Sequence, residues 1–185
     1  MTKDCCVRNY KYMDATLAGP KFMQRIEILK KFIGNLNSSI DIGCGAYTPV
    51  ILKTTHACDH AEIAGKYLKE LDYKGDFRKA DVKNLIYKDK EFKVAVCSEV
   101  IEHLRTEKQV VKAFKEIDRI SDKWLVTTPR PVCYDKDHTF FFTSDHLFDL
   151  IPFDLSYYVI LTKGIYFYIS NDKDRIIKII GVKNG

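Results

Sequence analysis

The chain has 185 residues, 46% of them hydrophobic and 30% charged, with a formal net charge of +5. That composition is expected of a soluble globular protein folding as one domain over 1–185, and it excludes a disordered, fibrous or collagen-like chain. The mild basic excess permits an acidic partner without requiring one, no window approaches the roughly 20 apolar residues of a membrane helix, and the six cysteines include no Cys-x-x-Cys pair for a zinc ribbon.

Residues 1–19 carry little periodicity and several Tyr and Met, and are expected to form a flexible N-terminal arm or lid. Their start lacks the apolar core of a signal peptide, so a reducing, cytoplasmic setting is expected. Pro20 opens a helix, with Phe22, Met23, Ile26, Leu29, Phe32 and Ile33 recurring at helical spacing. Ser39-Ile40-Asp41-Ile42 then reads as a short buried strand carrying one acid, and it breaks into Gly43-Cys44-Gly45. Two glycines remove Cβ atoms where the chain turns sharply and a ligand can approach closely. No Lys follows them, so the turn is not a phosphate-binding P-loop.

A second apolar segment, His56-Ala57-Cys58, ends on Asp59, and a helix is expected over 60–71. A third strand around Asp76–Arg78 leads to Asp81. Val94-Ala95-Val96-Cys97 is a fourth buried strand running into Ser98-Glu99-Val100-Ile101-Glu102-His103-Leu104. Lys108–Ile120 is amphipathic, and Trp124-Leu125-Val126 is the fifth strand. Thr127-Thr128-Pro129-Arg130-Pro131 is expected to leave the sheet, since proline cannot donate to a ladder. Thr143 or Ser144 caps a helix covering Leu147 and Leu150. Three further strands are expected, Ser156–Leu161, Ile165–Ser170 and Arg175–Val182. Cys44, Cys58 and Cys97 lie in or beside buried strands and are expected as free thiols packing as small hydrophobes.

The order strand, glycine turn, acid, helix, acid, strand, Glu-Val-Ile-Glu-His-Leu resembles the class I S-adenosylmethionine (SAM) dependent methyltransferases, in their type 11-like branch, from about Lys30 to Leu150. The resemblance implies a doubly wound, Rossmann-like α/β sheet, mostly parallel, with C-terminal antiparallel strands. It implies that Asp41, Gly43, Cys44 and Gly45 meet the methionine part of SAM. Asp59 stands at the ribose position with His60 beside the adenosine, Asp81 at the adenine amino position, Val82 at the amide contact, and Ser98 on the floor of the site. Two departures from the pattern are visible. Tyr47 stands where the family carries a third glycine, and the first crossover helix, about Thr48–Lys53, must be very short.

Methyl transfer is an in-line displacement in which the protein supplies alignment and, for a protonated acceptor, a base. His138 and Glu99 are the candidate catalytic residues. If Val100 begins a helix, Glu99, Glu102 and His103 share a face, and with His138 they suit a divalent cation such as Mg²⁺ or Mn²⁺. The small-RNA 3′-end 2′-O-methyltransferases have a similar Glu-x-x-Glu-His and distant His set. Metal-free members of the wider family carry Glu-His and a His before a Phe-Thr turn as well, where they brace a loop and border the substrate pocket. Tyr47 and the short crossover instead motivate a third reading, a non-catalytic binding or scaffold subunit. The acceptor stays open between RNA, protein and a small molecule, no membrane partner is expected, and a partner subunit is one way to complete so small a site. Tyr10, Tyr12 and Tyr47 are candidate pocket walls, and Lys11, Lys21, Lys53 and Arg130 candidate anion contacts.

Overall fold

The computed structural model describes residues 19–35, 37–132 and 138–181. The expected N-terminal arm with Tyr10, Tyr12 and Lys11, and the tip of the loop around Asp137, lie outside those residues. Seven strands form one sheet in the order β3-β2-β1-β4-β5-β7-β6. β1 (Ser39–Ile42), β2 (His56–Asp59), β3 (Asp76–Lys79), β4 (Phe92–Ser98) and β5 (Ser121–Pro129) run parallel, and β7 (Tyr166–Ser170) and β6 (Val159–Lys163) add antiparallel. The expected doubly wound sheet with antiparallel C-terminal strands is therefore present. Its topological switch point falls between β1 and β4, where such sheets open a ligand crevice at the carboxyl ends of their strands.

Each strand's character follows from its place. β1 is buried at all four positions, and β4 at all but Lys93 and Ser98, because parallel strands in mid-sheet are covered on both faces. β3 stands at one edge and shows Asp76, Arg78 and Lys79 to water, which blocks pairing with a second sheet. Helix α1 (Pro20–Ile33) starts with proline at its first position, where the missing N–H costs nothing. Its Ile26, Leu29 and Phe32 pack with Val94, Val96, Leu125 and Tyr168 on one face of the sheet. α4 (Glu107–Ile120) covers the opposite face with Val110, Phe114 and Ile117, together with Leu147 and Leu150 of α5 (Ser144–Leu150). Thr106 and Thr143 cap α4 and α5, each accepting a backbone N–H three residues on. α3 (Glu62–Glu70) packs beside β2 and β3. Burial pushes the Cys58 thiol up to about 12 and raises Cys44 and Cys97, so these three buried thiols stay protonated.

The structure corrects several expectations. The segment expected as a strand over Arg175–Val182 is helix α6 (Lys173–Ile180). Its β-branched run suggests a strand, but Ile176 and Ile180 are four apart and both enter the cluster beneath α1, with Ile179 packed against it. Gly181, with φ of 78°, then ends the helix. Secondly, β5 does not leave the sheet at Thr127. It continues through Pro129, paired with Tyr166 of β7, and Arg130 N–H donates to Ile165 carbonyl at 2.7 Å. Proline is tolerated because backbone groups alternate sides along a strand. Thr127 carbonyl points toward β4, accepting from Glu99 N–H, so the donor that Pro129 lacks would point the same way, where β4 has already ended. The sixth strand also begins later than expected, at Val159 rather than Ser156. Thirdly, no α-helix starts at Val100; Ile101–His103 is a single 3₁₀ turn.

Candidate functional site

The glycine turn is held from below by β2. Gly43 and Cys44 N–H groups both donate to Cys58 carbonyl, at 2.8 and 3.1 Å, which bends the chain over the neighbouring strand. Gly43 has φ of 67°, and a Cβ there would come within 2.4 Å of Val100 Cγ2. Both facts demand glycine. Tyr47 has φ of −120° and precedes α2 (Thr48–Leu52), so this backbone does not require a third glycine. It packs against the small cluster of Ala46 and Ala64. The crossover is as short as expected: α2 spans five residues and Lys53 closes it in the left-handed conformation.

Asp59 ends β2 with its carboxylate almost wholly buried. One oxygen accepts from Gly45 N–H at 3.0 Å; the other accepts from Ala61 N–H at 2.8 Å and lies 3.2 Å from His60 Nδ1. Burial alone would raise this acid, but the bonds from His60, Ala61 and Gly45 outweigh it and hold Asp59 below the ordinary carboxylate range. The acid thus couples the glycine turn to β2 and stays ionised. Asp81, after β3, is half-buried and grips Lys83 Nζ with both oxygens, at 2.8 and 2.7 Å. Burial raises it, and the contacts with Lys83 more than reverse that. Val82 is buried behind it, and His60 is exposed in front.

Asp41 behaves differently. It lies within β1, 1% exposed, and its Oδ2 has no hydrogen-bond partner among the described residues. Burial and then the charge of Asp59 push it well above the ordinary range, with Arg25 pulling the other way. Ile40 and Ile42 point into the cluster under α4, so alternation sends Asp41 to the α1 face.

Across the switch point, β4 ends in Ser98, whose Oγ meets Thr127 Oγ1 at 2.8 Å. Glu99 follows with φ of 59°, a conformation costly for a non-glycine residue and concentrated at functional sites. Its Oε2 lies 2.9 Å from Nη1 of Arg25, and its Oε1 accepts from Thr127 at 3.5 Å. Glu102 is fully buried; Thr128 Oγ1 donates to its Oε2 at 3.1 Å, while Oε1 has no hydrogen-bond partner among the described residues. Its backbone carbonyl accepts from Thr139 and Phe140 N–H groups, tying the segment after His138 to the 3₁₀ turn. Burial and then the Glu99 charge raise Glu102 well above normal; burial also raises Glu99, and Arg25 opposes.

Glu102, His103 and His138 present one ligand atom each within 4.8 Å of one another. The imidazole rings meet edge to face with centroids 4.9 Å apart, and Phe141 lies 6.1 Å from His138. The sequence-based grouping is therefore present in three of its four members, with a different cause. A left-handed residue and a 3₁₀ turn gather them in place of a helix face. Glu99 instead turns toward Arg25. Buried carboxylate with two imidazoles is a donor set that fits a borderline divalent cation.

Arg25 is the member of this cluster that sequence reasoning passes over. It stands on the inward face of α1 with Phe22, Ile26 and Leu29, and a charged residue within that stripe was the available signal. Lys53 caps α2, and Arg130 donates to Gly164 carbonyl, so neither joins this cluster. His146 lies 3.1 Å from Glu107, bracing α5 against α4.

A family model described as a methyltransferase domain matches residues 40–123. Among solved structures, the chain is similar to the PH0226 protein from Pyrococcus horikoshii OT3, at 17% identity and a TM-score of 0.66, over 88% of this chain and 96% of that one. It is similar to magnesium protoporphyrin IX methyltransferase (ChlM) from Synechocystis PCC 6803 with bound SAH, at 13% identity and a TM-score of 0.58, over 80% and 81%. It is also similar to the small RNA methyltransferase HEN1, at 17% identity and a TM-score of 0.61, over 80% of this chain and 24% of that one. No curated protein sequence matches the chain.

Proposed function

We propose that this chain, which carries a SAM-dependent methyltransferase domain over residues 40–123, moves the methyl group of SAM to an acceptor placed between Glu99 and His138. The match to a methyltransferase domain supports an enzyme with SAM as its cofactor over the scaffold reading that Tyr47 and the short crossover motivate. One observation carries the placement. Four successive strand ends bring Asp41, Asp59, Asp81 and Ser98–Glu99 to one edge of the sheet, beside a glycine turn folded onto β2. A cofactor with a cationic sulfonium and a ribose diol suits an edge lined with acids. Asp59 and Asp81 serve its hydroxyl and amino groups, and Gly43–Gly45 leave room for the methionine part. In the transfer the methyl–sulfur bond breaks as the bond to the acceptor oxygen or nitrogen forms, SAH remains, and the acceptor's proton passes to His138.

The test is calorimetric titration with SAM of the wild type and of Asp59→Ala. Micromolar binding that falls about 100-fold in the variant is expected, given ~1.5–3 kcal/mol for a hydrogen bond to a charged group. Equal binding by both proteins sinks the placement.

A second reading is favoured by the Glu102–His103–His138 cluster with its buried, half-satisfied carboxylate. In it Glu102, His103 and His138 would hold Mg²⁺ or Mn²⁺, whose Lewis acidity would suit the hydroxyls of a terminal RNA ribose undergoing 2′-O-methylation. The likeness to the small RNA methyltransferase HEN1 supports it. Methyl transfer to a short RNA that needs Mn²⁺ and fails on a 3′-terminal 2′-deoxy oligomer is its expected result. Activity indifferent to chelator sends the search to other acceptors.

A further inference from the structure

Arg25 is a cation with little reason to be inside. It is 8% exposed, on a helix face otherwise packed with Ile26, Leu29 and Phe32. Its guanidinium lies 4.9 Å from the centroid of the Tyr166 ring and 5.3 Å from that of Phe22, so its plane is set by aromatic contacts and not by the ion pair alone. One nitrogen, Nη1, meets Glu99 at 2.9 Å. Another, Nε, is buried and makes no hydrogen bond among the described residues. On the same face of the sheet Asp41 keeps an unpartnered oxygen. A buried guanidinium with an unspent donor and a buried carboxylate with an unspent acceptor each carry a desolvation cost. Both are relieved by one kind of ligand, a free α-amino acid group, whose carboxylate takes the guanidinium and whose ammonium takes the acid.

That chemistry lies next to the glycine turn assigned above to the methionine part of SAM, and the inference rests on that reading. We propose that Arg25 anchors the α-carboxylate of SAM, and that Glu99 occupies this seat until the cofactor arrives. Glu99 is held in a left-handed backbone conformation, with a φ of 59°, while it reaches Arg25. Displacement by the cofactor carboxylate frees its side chain toward Thr127 and the acceptor side, which links cofactor loading to assembly of the acceptor site. Arg25 is thus a cofactor-binding residue, and its effect on the acceptor side runs through Glu99.

Calorimetry with two ligands tests this. SAH carries the amino-acid group, and 5′-methylthioadenosine has the same nucleoside and thioether without it. Arg25→Gln is expected to weaken SAH about 10- to 100-fold while moving methylthioadenosine less than about twofold. Arg25→Lys keeps the charge but not the fork and falls between. Glu99→Gln removes the competitor and tightens SAH severalfold, with methylthioadenosine unchanged. If both ligands weaken together in Arg25→Gln and in Glu99→Gln, the pair is only a structural brace and the proposal is overturned. Unchanged SAH binding in Arg25→Gln overturns it as well. If the wild type binds methylthioadenosine but gains nothing from the amino-acid group, the anchor is wrong and the cofactor site stands. If it binds neither, the cofactor placement itself fails.

Discussion

The two halves of the strand-end crevice handle buried acids in opposite ways. On the β2–β3 side, Asp59 and Asp81 are satisfied by groups one or two residues away, apart from Gly45, and both are held below the ordinary carboxylate range. On the β1–β4 side, Asp41 and Glu102 each keep an oxygen without a partner among the described residues and are raised well above it, and their neighbours come from distant segments. Local bonds make the first side a preformed cradle that needs no ligand to be stable. The second side stores unmet hydrogen-bonding capacity, and a fold that keeps such groups is poised to meet a cation or a zwitterion.

The contrast breaks most easily at the chemistry. His138→Ala is expected to cut turnover by about 10²- to 10⁴-fold with SAM affinity within twofold, as for a residue on the acceptor side only. A parallel loss of SAM binding, measured by calorimetry, would merge the two halves. Next in size is Gly43→Ala. Its Cβ would overlap Val100, and the left-handed turn would be strained as well, so SAM affinity should fall at least about tenfold. Adding Val100→Ala should return part of it, since the clash is with a side chain; no recovery would assign the whole loss to the backbone.

Acid behaviour sharpens the comparison further. A carboxyl lowered in the fold, such as Asp59, contributes stability that is present above its unfolded value of about 3.9 and lost as pH falls through the lower folded value. A carboxyl raised in the fold, such as Glu102, does the reverse: its stability is present below about 4.3 and lost as pH rises from there through the higher folded value. Glu102→Gln keeps the acceptor for Thr128 and removes the charge. Its melting temperature should therefore exceed the wild type's at pH 8 by ~2–4 °C for each kcal/mol recovered, and the gap should close toward pH 4. A pH-independent difference would show that Glu102 does not titrate in this range. Smallest is Thr106→Ala at the cap of α4, expected to cost about 1 kcal/mol of stability and nothing in SAM binding.

Much of this molecule is legible along the chain because the relevant interactions are short in sequence. The glycine turn, its acid and the next strand-end acid lie within forty-odd positions, and strand burial shows as Ile40, Ile42 and Val94–Cys97. α6 was misread because Ile176, Ile177, Ile179 and Ile180 satisfy a strand's preferences as well as a helix's, and only the cluster beneath α1 selects the helical spacing. The turn after β4 was misread for a related reason. Glu99, Glu102 and His103 fit a helical face on paper, but β4 must end against β5, and Thr127 and Thr128 of that strand receive the carboxylates.

By itself, then, the sequence determined the succession of strands along the chain, the glycine turn and the acids that follow it, since each depends on residues close in the chain and on burial patterns of period two or 3.6. Tertiary structure alone decided that Arg25 meets Glu99, 74 positions away, that His138 meets His103 across the β5 loop, and that Pro129 stays in the sheet. Those contacts join segments whose meeting depends on which strand stands beside which. Strand order is set by the packing of whole faces against α1 and α4, a property that no local window of residues carries.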